Sequence, residues 1–217
     1  MLLKRGDKLV MIGDSITDAG RPRPLGEGRA DAWGRGYVAL VNALLQAAYP
    51  ELGIRVINQG CSGNTVRDLK ARWQEDVIRL QPDWLSIMIG INDVWRQFDS
   101  PRMPECHVLP AEYEQVFDEL LAAAKGAVKR RIVVMAPYML EPNRKDPMRA
   151  MMDRYGRVCR TLATRHGCLF VESQAAFDRV MKHVHPMTLA WDRIHPDLPG
   201  HMVIARSFLD AVGFSWT

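Results

Sequence analysis

Five short apolar runs, none with the polar alternation of a half-buried strand, restrict the fold of this chain more than any other feature. They cover residues 8–12, 55–58, 84–89, 132–136 and 168–172. A strand that faces water on one side alternates apolar with polar residues, whereas a strand covered on both faces need not. Helical patterns separate the runs, over residues 34–48, 65–80, 111–128 and 148–166, and two more follow the last run at 174–183 and 200–212. Val66, Leu69, Trp73, Val77 and Leu80 recur at helical spacing, as do Ile204, Phe208, Ala211 and Val212, which marks faces turned to a core. This alternation of strand and helix predicts an α/β fold, a three-layer α/β/α sandwich around a five-stranded parallel sheet.

A length of 217 residues suits one domain spanning 1–217, long enough to bury its own core. With 47% hydrophobic and 25% charged residues the composition is that of a globular chain, which sets aside disordered and fibrous classes. No run approaches the roughly 20 apolar residues of a membrane-spanning helix. Lys4, Arg5, Asp7 and Lys8 stand where a signal peptide needs its apolar centre, so a cytoplasmic protein without a membrane partner is expected. Cys61, Cys106, Cys159 and Cys168 show neither Cys-x-x-Cys spacing nor disulfide density, and are expected to be reduced and structural. The net charge of +4 is scattered, with Lys129-Arg130-Arg131 as its one cluster, read as the solvated last turn of a helix. No recognition motif or basic stripe with interleaved aromatics accompanies it, so no nucleic-acid partner is expected.

Two irregular stretches, 19–33 and 93–109, follow the first and third runs and should overhang the C-terminal edge of the sheet, where open α/β folds bind ligands. At that edge the first run stops at Gly13 and hands over to Asp14-Ser15. By itself Gly-Asp-Ser is an ordinary turn or helix cap. Three further segments change its meaning: Gly60-Cys61-Ser62-Gly63-Asn64-Thr65, Gly90-Ile91-Asn92-Asp93, and Asp192-Arg193-Ile194-His195-Pro196. A serine hydroxyl needs a base within hydrogen-bond reach to become a nucleophile, and His195, with Asp192 three residues before it to orient the ring, supplies one. Ester hydrolysis also needs donors aimed at the oxyanion. Gly63 and Ser15 can offer backbone N–H groups and Asn92 a side-chain amide.

In these segments the chain resembles the GDSL esterases, more particularly the SGNH hydrolases, named for the Ser, Gly, Asn and His that Ser15, Gly63, Asn92 and His195 match. The resemblance implies a flavodoxin-like fold, a triad of Ser15, His195 and Asp192, an oxyanion hole of Ser15, Gly63 and Asn92, and no cofactor or metal. Many relatives carry glycine where this chain has Arg193, and a bulky cation there should bear on substrate choice. Further stretches, at 50–56, 63–73, 86–96 and 190–193, are similar to the acetyl-xylan esterases of the family, which implies an acetylated carbohydrate as the small-molecule substrate and assembly into a homo-oligomer. Trp95, Tyr138 and Trp191 fall near the catalytic positions and are expected, with Arg193, to contact sugar rings. Two other readings remain open: a lysophospholipase or thioesterase for longer acyl chains, and a non-catalytic flavodoxin-like binding module. The module lacks a glycine-rich phosphate loop and leaves Asp192 and His195 unexplained. His183 and His185, with Asp178 and Glu172 nearby, offer no defined third ligand and are not read as a metal site. His107 and His201 are expected to be structural or exposed.

Overall fold

The computed structural model of the chain describes residues 1–24 and 26–216. Its centre is one sheet of β1 (Lys8–Gly13), β2 (Arg55–Gly60), β3 (Trp84–Met88), β4 (Arg131–Met135) and β5 (Leu169–Val171). All pairings are parallel and the order is β2-β1-β3-β4-β5. Leu9, Val10, Met11 and Ile12 of β1 are wholly buried, as are Leu85 and Ile87 of β3, so neighbouring residues on opposite faces of one strand both enter the core. This is why these runs lack polar alternation. Each such side chain contributes about 1.5–3 kcal/mol on leaving water.

Helices cover the sheet in two groups. α2 (Tyr37–Ala48) packs on α8 (Leu198–Ala211), which also holds α7 (Ser173–Val180). α3 (Val66–Trp73) packs on α5 (Pro110–Ala124), and α5 on α6 (Pro147–His166). Two helices are shorter: α1 (Ser15–Asp18), directly after β1, and α4 (Ile91–Asp99), which leans on α6. A π-helical turn at Gln74–Ile78 prolongs α3, so the long pattern at 65–80 is continuous but not uniform.

Two sequence expectations are corrected. The stretch 93–109, expected to be irregular, begins inside α4. This helix buries Asn92 and Asp93 beside Ile91 and Val94, and polar residues on the core face hide a helix from apolar periodicity. The Lys129-Arg130-Arg131 cluster is not a helix end, because α5 stops at Ala124. Arg130 Nε instead donates to buried Asp7 (2.8 Å), whose other oxygen accepts from Trp84 Nε1 (3.0 Å). The backbone N–H of Arg130 donates to Asp83 O (2.9 Å), so the cluster clamps the N-terminal edge of the sheet. Within the other irregular stretch, at 19–33, a 3₁₀ turn forms at Ala30–Trp33, and residue 25 lies outside the described residues.

The strand order determines where a site can form. From β1 the chain builds outward to β2, then returns to place β3 on the other side of β1. The crevice therefore opens at the C-terminal ends of β1 and β3. Ser15 follows the first of these strands and Asn92 the second.

Candidate active site

At the end of β1 the backbone turns at once into α1, with Asp14 as its cap: the buried carboxylate accepts from Ile16 N (3.0 Å). Burial lifts the Asp14 carboxyl to about 7, against the hydrogen bond from Ile16. The turn fits only because β2 ends in Gly60. A Cβ there would lie 2.1 Å from the backbone nitrogen of Asp18. Ser15 thus stands at the first helical position, pressed against the ends of two strands.

His195 reaches Ser15 from the far end of the chain, with Ser15 Oγ and His195 Nε2 2.9 Å apart. Asp192 Oδ2 lies 2.6 Å from Nδ1 of the same ring, while Asp192 Oδ1 accepts from the N–H groups of Ile194 (2.9 Å) and His195 (2.8 Å). Burial pushes the Asp192 carboxyl up, but the hydrogen bonds from the His195 ring and from these two N–H groups outweigh it and hold it below the usual range. With the proton on Nδ1 facing the carboxylate, Nε2 is left to accept from the serine hydroxyl.

The loop after β2 is fixed almost residue by residue. Cys61 N donates to Gly13 O (3.0 Å), Ser62 N and Oγ donate to buried Asp18 Oδ2 (3.0 and 2.9 Å), and Asn64 O accepts from Asn92 Nδ2 (2.9 Å). Thr65 and Asp68 form a reciprocal cap on α3, and Val66 N donates to Asp93 Oδ1 (2.9 Å). Burial lifts the Asp93 carboxyl to about 7, opposed by the bond from Val66, and its Oδ2 has no partner among the described residues. Gly63 is the exception in this tightly tied loop. Its φ of +83° is one that glycine adopts without strain, and among the described residues no atom beyond its two chain neighbours lies within 4 Å of where a Cβ would be. Neither its N–H nor that of Ser15 donates to a protein atom among the described residues. The region therefore holds two unengaged backbone donors and an anchored side-chain amide beside a serine already bonded to a histidine.

The four residues expected to contact sugar rings fall in different places. Trp95, half-buried, meets the His195 ring edge-on at 5.7 Å between centroids. Trp191 is 76% exposed and lines a cleft of about 560 Å³ with Met187, His185, Asp192 and Arg193. Arg193 directs its guanidinium to Glu141 (2.8 Å), so its cation forms part of the cleft wall as an ion pair rather than a free charge. Its own φ of +66° shows the conformation that glycine would adopt there without strain. Tyr138 is a correction. It is wholly buried against Phe177 (4.3 Å between centroids), and its hydroxyl donates to Ile194 O (3.2 Å). It touches the site as a strut beneath the histidine segment, not as a sugar platform.

The remaining candidates are engaged elsewhere. Asp178 binds Arg149 and Arg144, Glu172 pairs with Arg160, and His185 caps the turn at Pro186–Thr188. His201 is buried and its Nδ1 accepts from Tyr37 N (3.2 Å); burial first, and the nearby His195 second, lower its pKa to about 4. His107 contacts Ser100 O (2.9 Å). Asp18, Arg72 and Asp93 organise the site without having been singled out. Each has a partner distant in sequence, Ser62 for Asp18, Gly13 for Arg72 and Val66 for Asp93, and nothing in local periodicity marks a polar residue that bonds across the fold.

A family model described as the GDSL-like Lipase/Acylhydrolase family matches residues 11–203. An acetylxylan esterase of Geobacillus stearothermophilus is 58% identical over 216 residues, covering 100% of this chain and 98% of the relative. The crystal structure of Axe2, an acetylxylan esterase from the same organism, superposes with a TM-score of 0.98 over 100% of this chain and 99% of that one, at 58% identity. Catalytic mutants of Axe2 replace one serine, one aspartate or one histidine by alanine. LAE5, an alpha/beta hydrolase enzyme from the metagenome of Lake Arreo, Spain, is likewise 58% identical, with a TM-score of 0.95 over 98% of each chain. With its motifs spread along the sequence, its sheet order and its Ser15–His195–Asp192 geometry, this chain belongs to the GDSL-like lipase/acylhydrolase family.

Proposed function

We propose that this protein is a serine esterase that removes O-acetyl groups from xylo-oligosaccharides, its whole length serving as one hydrolase domain. The observation that carries the reading is the pairing of a hydrogen-bonded Ser15–His195–Asp192 chain with the unengaged N–H groups of Ser15 and Gly63. In the reaction Ser15 Oγ attacks the acetyl carbonyl while Nε2 of His195 takes its proton. Charge gathers on the carbonyl oxygen, where Ser15 N, Gly63 N and the amide of Asn92 meet it. The imidazolium, stabilised by Asp192, returns the proton to the departing sugar oxygen and leaves acetyl-Ser15. Water, deprotonated by His195, then releases acetate and restores the serine.

The acetyl preference and the carbohydrate class rest on the 58% identity to an acetylxylan esterase. The exposed Trp191 face beside Asp192 agrees with a sugar-binding cleft. Turnover of acetylated xylo-oligosaccharides, compared with p-nitrophenyl acetate, p-nitrophenyl octanoate and a lysophospholipid, tests the reading. Acetyl esters should dominate, and Ser15→Ala should abolish turnover while leaving the melting temperature in place. Comparable kcat/KM for octanoyl and acetyl esters would move the enzyme to the lipid-directed branch. Full activity in Ser15→Ala would remove the nucleophile assignment.

A further inference from the structure

Arg72 projects from α3 toward the ends of β1 and β2 and is only 17% exposed. Its Nε donates to Asn64 Oδ1 (2.7 Å), one terminal nitrogen to Gln59 O (2.9 Å) and Asp76 Oδ2 (2.5 Å), and the other to Gly13 O (3.0 Å). Every nitrogen of the guanidinium is therefore engaged, and each acceptor other than Asp76 lies on a segment that the reaction uses. Gly13 is two residues before Ser15. Gln59 is the last residue but one of β2, the strand that leads into the Gly63 loop. Asn64 follows Gly63, and its carbonyl accepts from Asn92.

We propose that Arg72 is a positioning residue that fixes the spacing between the nucleophile and the oxyanion donors. The assignment rests on the esterase reading above. The N–H of Gly63 has no bond of its own to hold it, so its direction is inherited from its neighbours. Ser62 is tied to Asp18 on one side, and on the other Asn64 is tied to Arg72 and Asn92. Asp18 joins Ser62 to α1, the helix that carries Ser15, and Cys61 N bonds Gly13 O, while the Arg72 guanidinium bonds the end of β1, the end of β2 and Asn64 at once. A planar fork can meet three acceptors on three segments at once, whereas an ammonium on a flexible stem has no such fixed directions. Asp76 pairs with the guanidinium, and Arg72 acts on the Gly63 loop through the fixed directions of its donors. Donors displaced by a fraction of an ångström meet the oxyanion poorly while the ground-state ester still binds, so the loss should appear in kcat.

The test measures kcat and KM for p-nitrophenyl acetate, the pH–rate profile and thermal unfolding in Arg72→Met, Arg72→Lys, Asn64→Ala and the Arg72→Met/Asn64→Ala double variant, with Ser15→Ala alongside. Arg72→Met should lose about 10–10²-fold in kcat, with KM within about twofold of wild type. The pH midpoint should not move, because the His195–Asp192 pair is untouched. Arg72→Lys should recover only a minor part of the loss, and the double variant should be no slower than the slower single, as two residues on one path require. Full kcat in Arg72→Met, a loss confined to KM, full recovery in Arg72→Lys, or additive losses in the double variant would each overturn the proposal. If Arg72→Met fails to fold, Asn64→Ala decides: unchanged kcat there removes the proposed path. Activity persisting in Ser15→Ala would instead overturn the esterase reading itself, a result distinct from any of these.

Discussion

The two halves of the site are built differently. The half that carries Ser15, Gly63 and Asn92 lies on strand ends and helix starts, with Asp14, Asp18, Asn92 and Asp93 all buried and bonded to backbone or to each other's loops. The half that carries Asp192 and His195 lies on an irregular segment whose neighbours Met187 and Trp191 are 63% and 76% exposed. That segment hangs from a few struts: Tyr138 to Ile194 O, Leu140 N to Arg193 O, and Arg193 to Glu141. The difference fits what the proposed reaction asks of each half. Donors for a developing charge act best when they are fixed before the charge appears. In the proposed reaction the histidine bonds first to the serine and then to the leaving oxygen, at an exposed rim.

Asp192→Asn should give the larger loss of the two halves, about 10⁴-fold in kcat. The asparagine carbonyl can still accept from Ile194 N and His195 N, but its amide would face Nδ1 as a donor. The ring proton would then move to Nε2, where the serine needs an acceptor. A loss below about tenfold would mean that the open half tolerates either tautomer and that the comparison has been drawn too sharply. Next comes Asn92→Ala on the fixed half, which should lower kcat by about 10²–10³ with little change in KM. A variant with raised KM and intact kcat would make Asn92 a ground-state contact.

A smaller effect separates the halves by pH. Asp93 keeps its proton in the fold up to about 7, well above its ordinary value of 3.8. A raised folded pKa stabilises fully below the unfolded value and ceases to do so as pH rises through the folded one. The melting temperature should therefore fall between about pH 4 and pH 7, and Asp93→Asn, which keeps an acceptor for Val66 N, should flatten that fall. An unchanged slope would show that Asp93 is charged in the fold at neutral pH. His201 acts in the opposite direction: its lowered pKa of about 4 makes its contribution full above 6.5 and lost as pH drops toward 4. The smallest change is expected from Tyr138→Phe, which removes one strut under the histidine segment and should cost about 0.5–1.5 kcal/mol of stability by denaturant titration. A cost several times larger would show that the open half depends on the core as strongly as the fixed half does.

The same contrast explains what could be read in the sequence. The central strands were legible because they are buried on both faces, and the segments of Ser15, Gly63, Asn92, Asp192 and His195, the proposed catalytic set, stood out because short motifs carry them. α4 was missed because its core face includes Asn92 and Asp93, which pattern reading counts as solvent-facing. Tyr138 was misread because its place at the sheet edge is visible in the sequence while the direction of its ring is not. Arg72 bonds Gly13 across 59 positions and Asp18 bonds Ser62 across 44, relations that exist only after the chain has folded.

Ser15 and His195 are separated by 180 positions. The first lies directly after β1 and the second after β5, so their bond forms only once the segment after β5 has docked across the sheet onto the segment after β1. On the proposed reading, a local opening that frees the His195 segment would stop ester turnover while leaving the sheet intact.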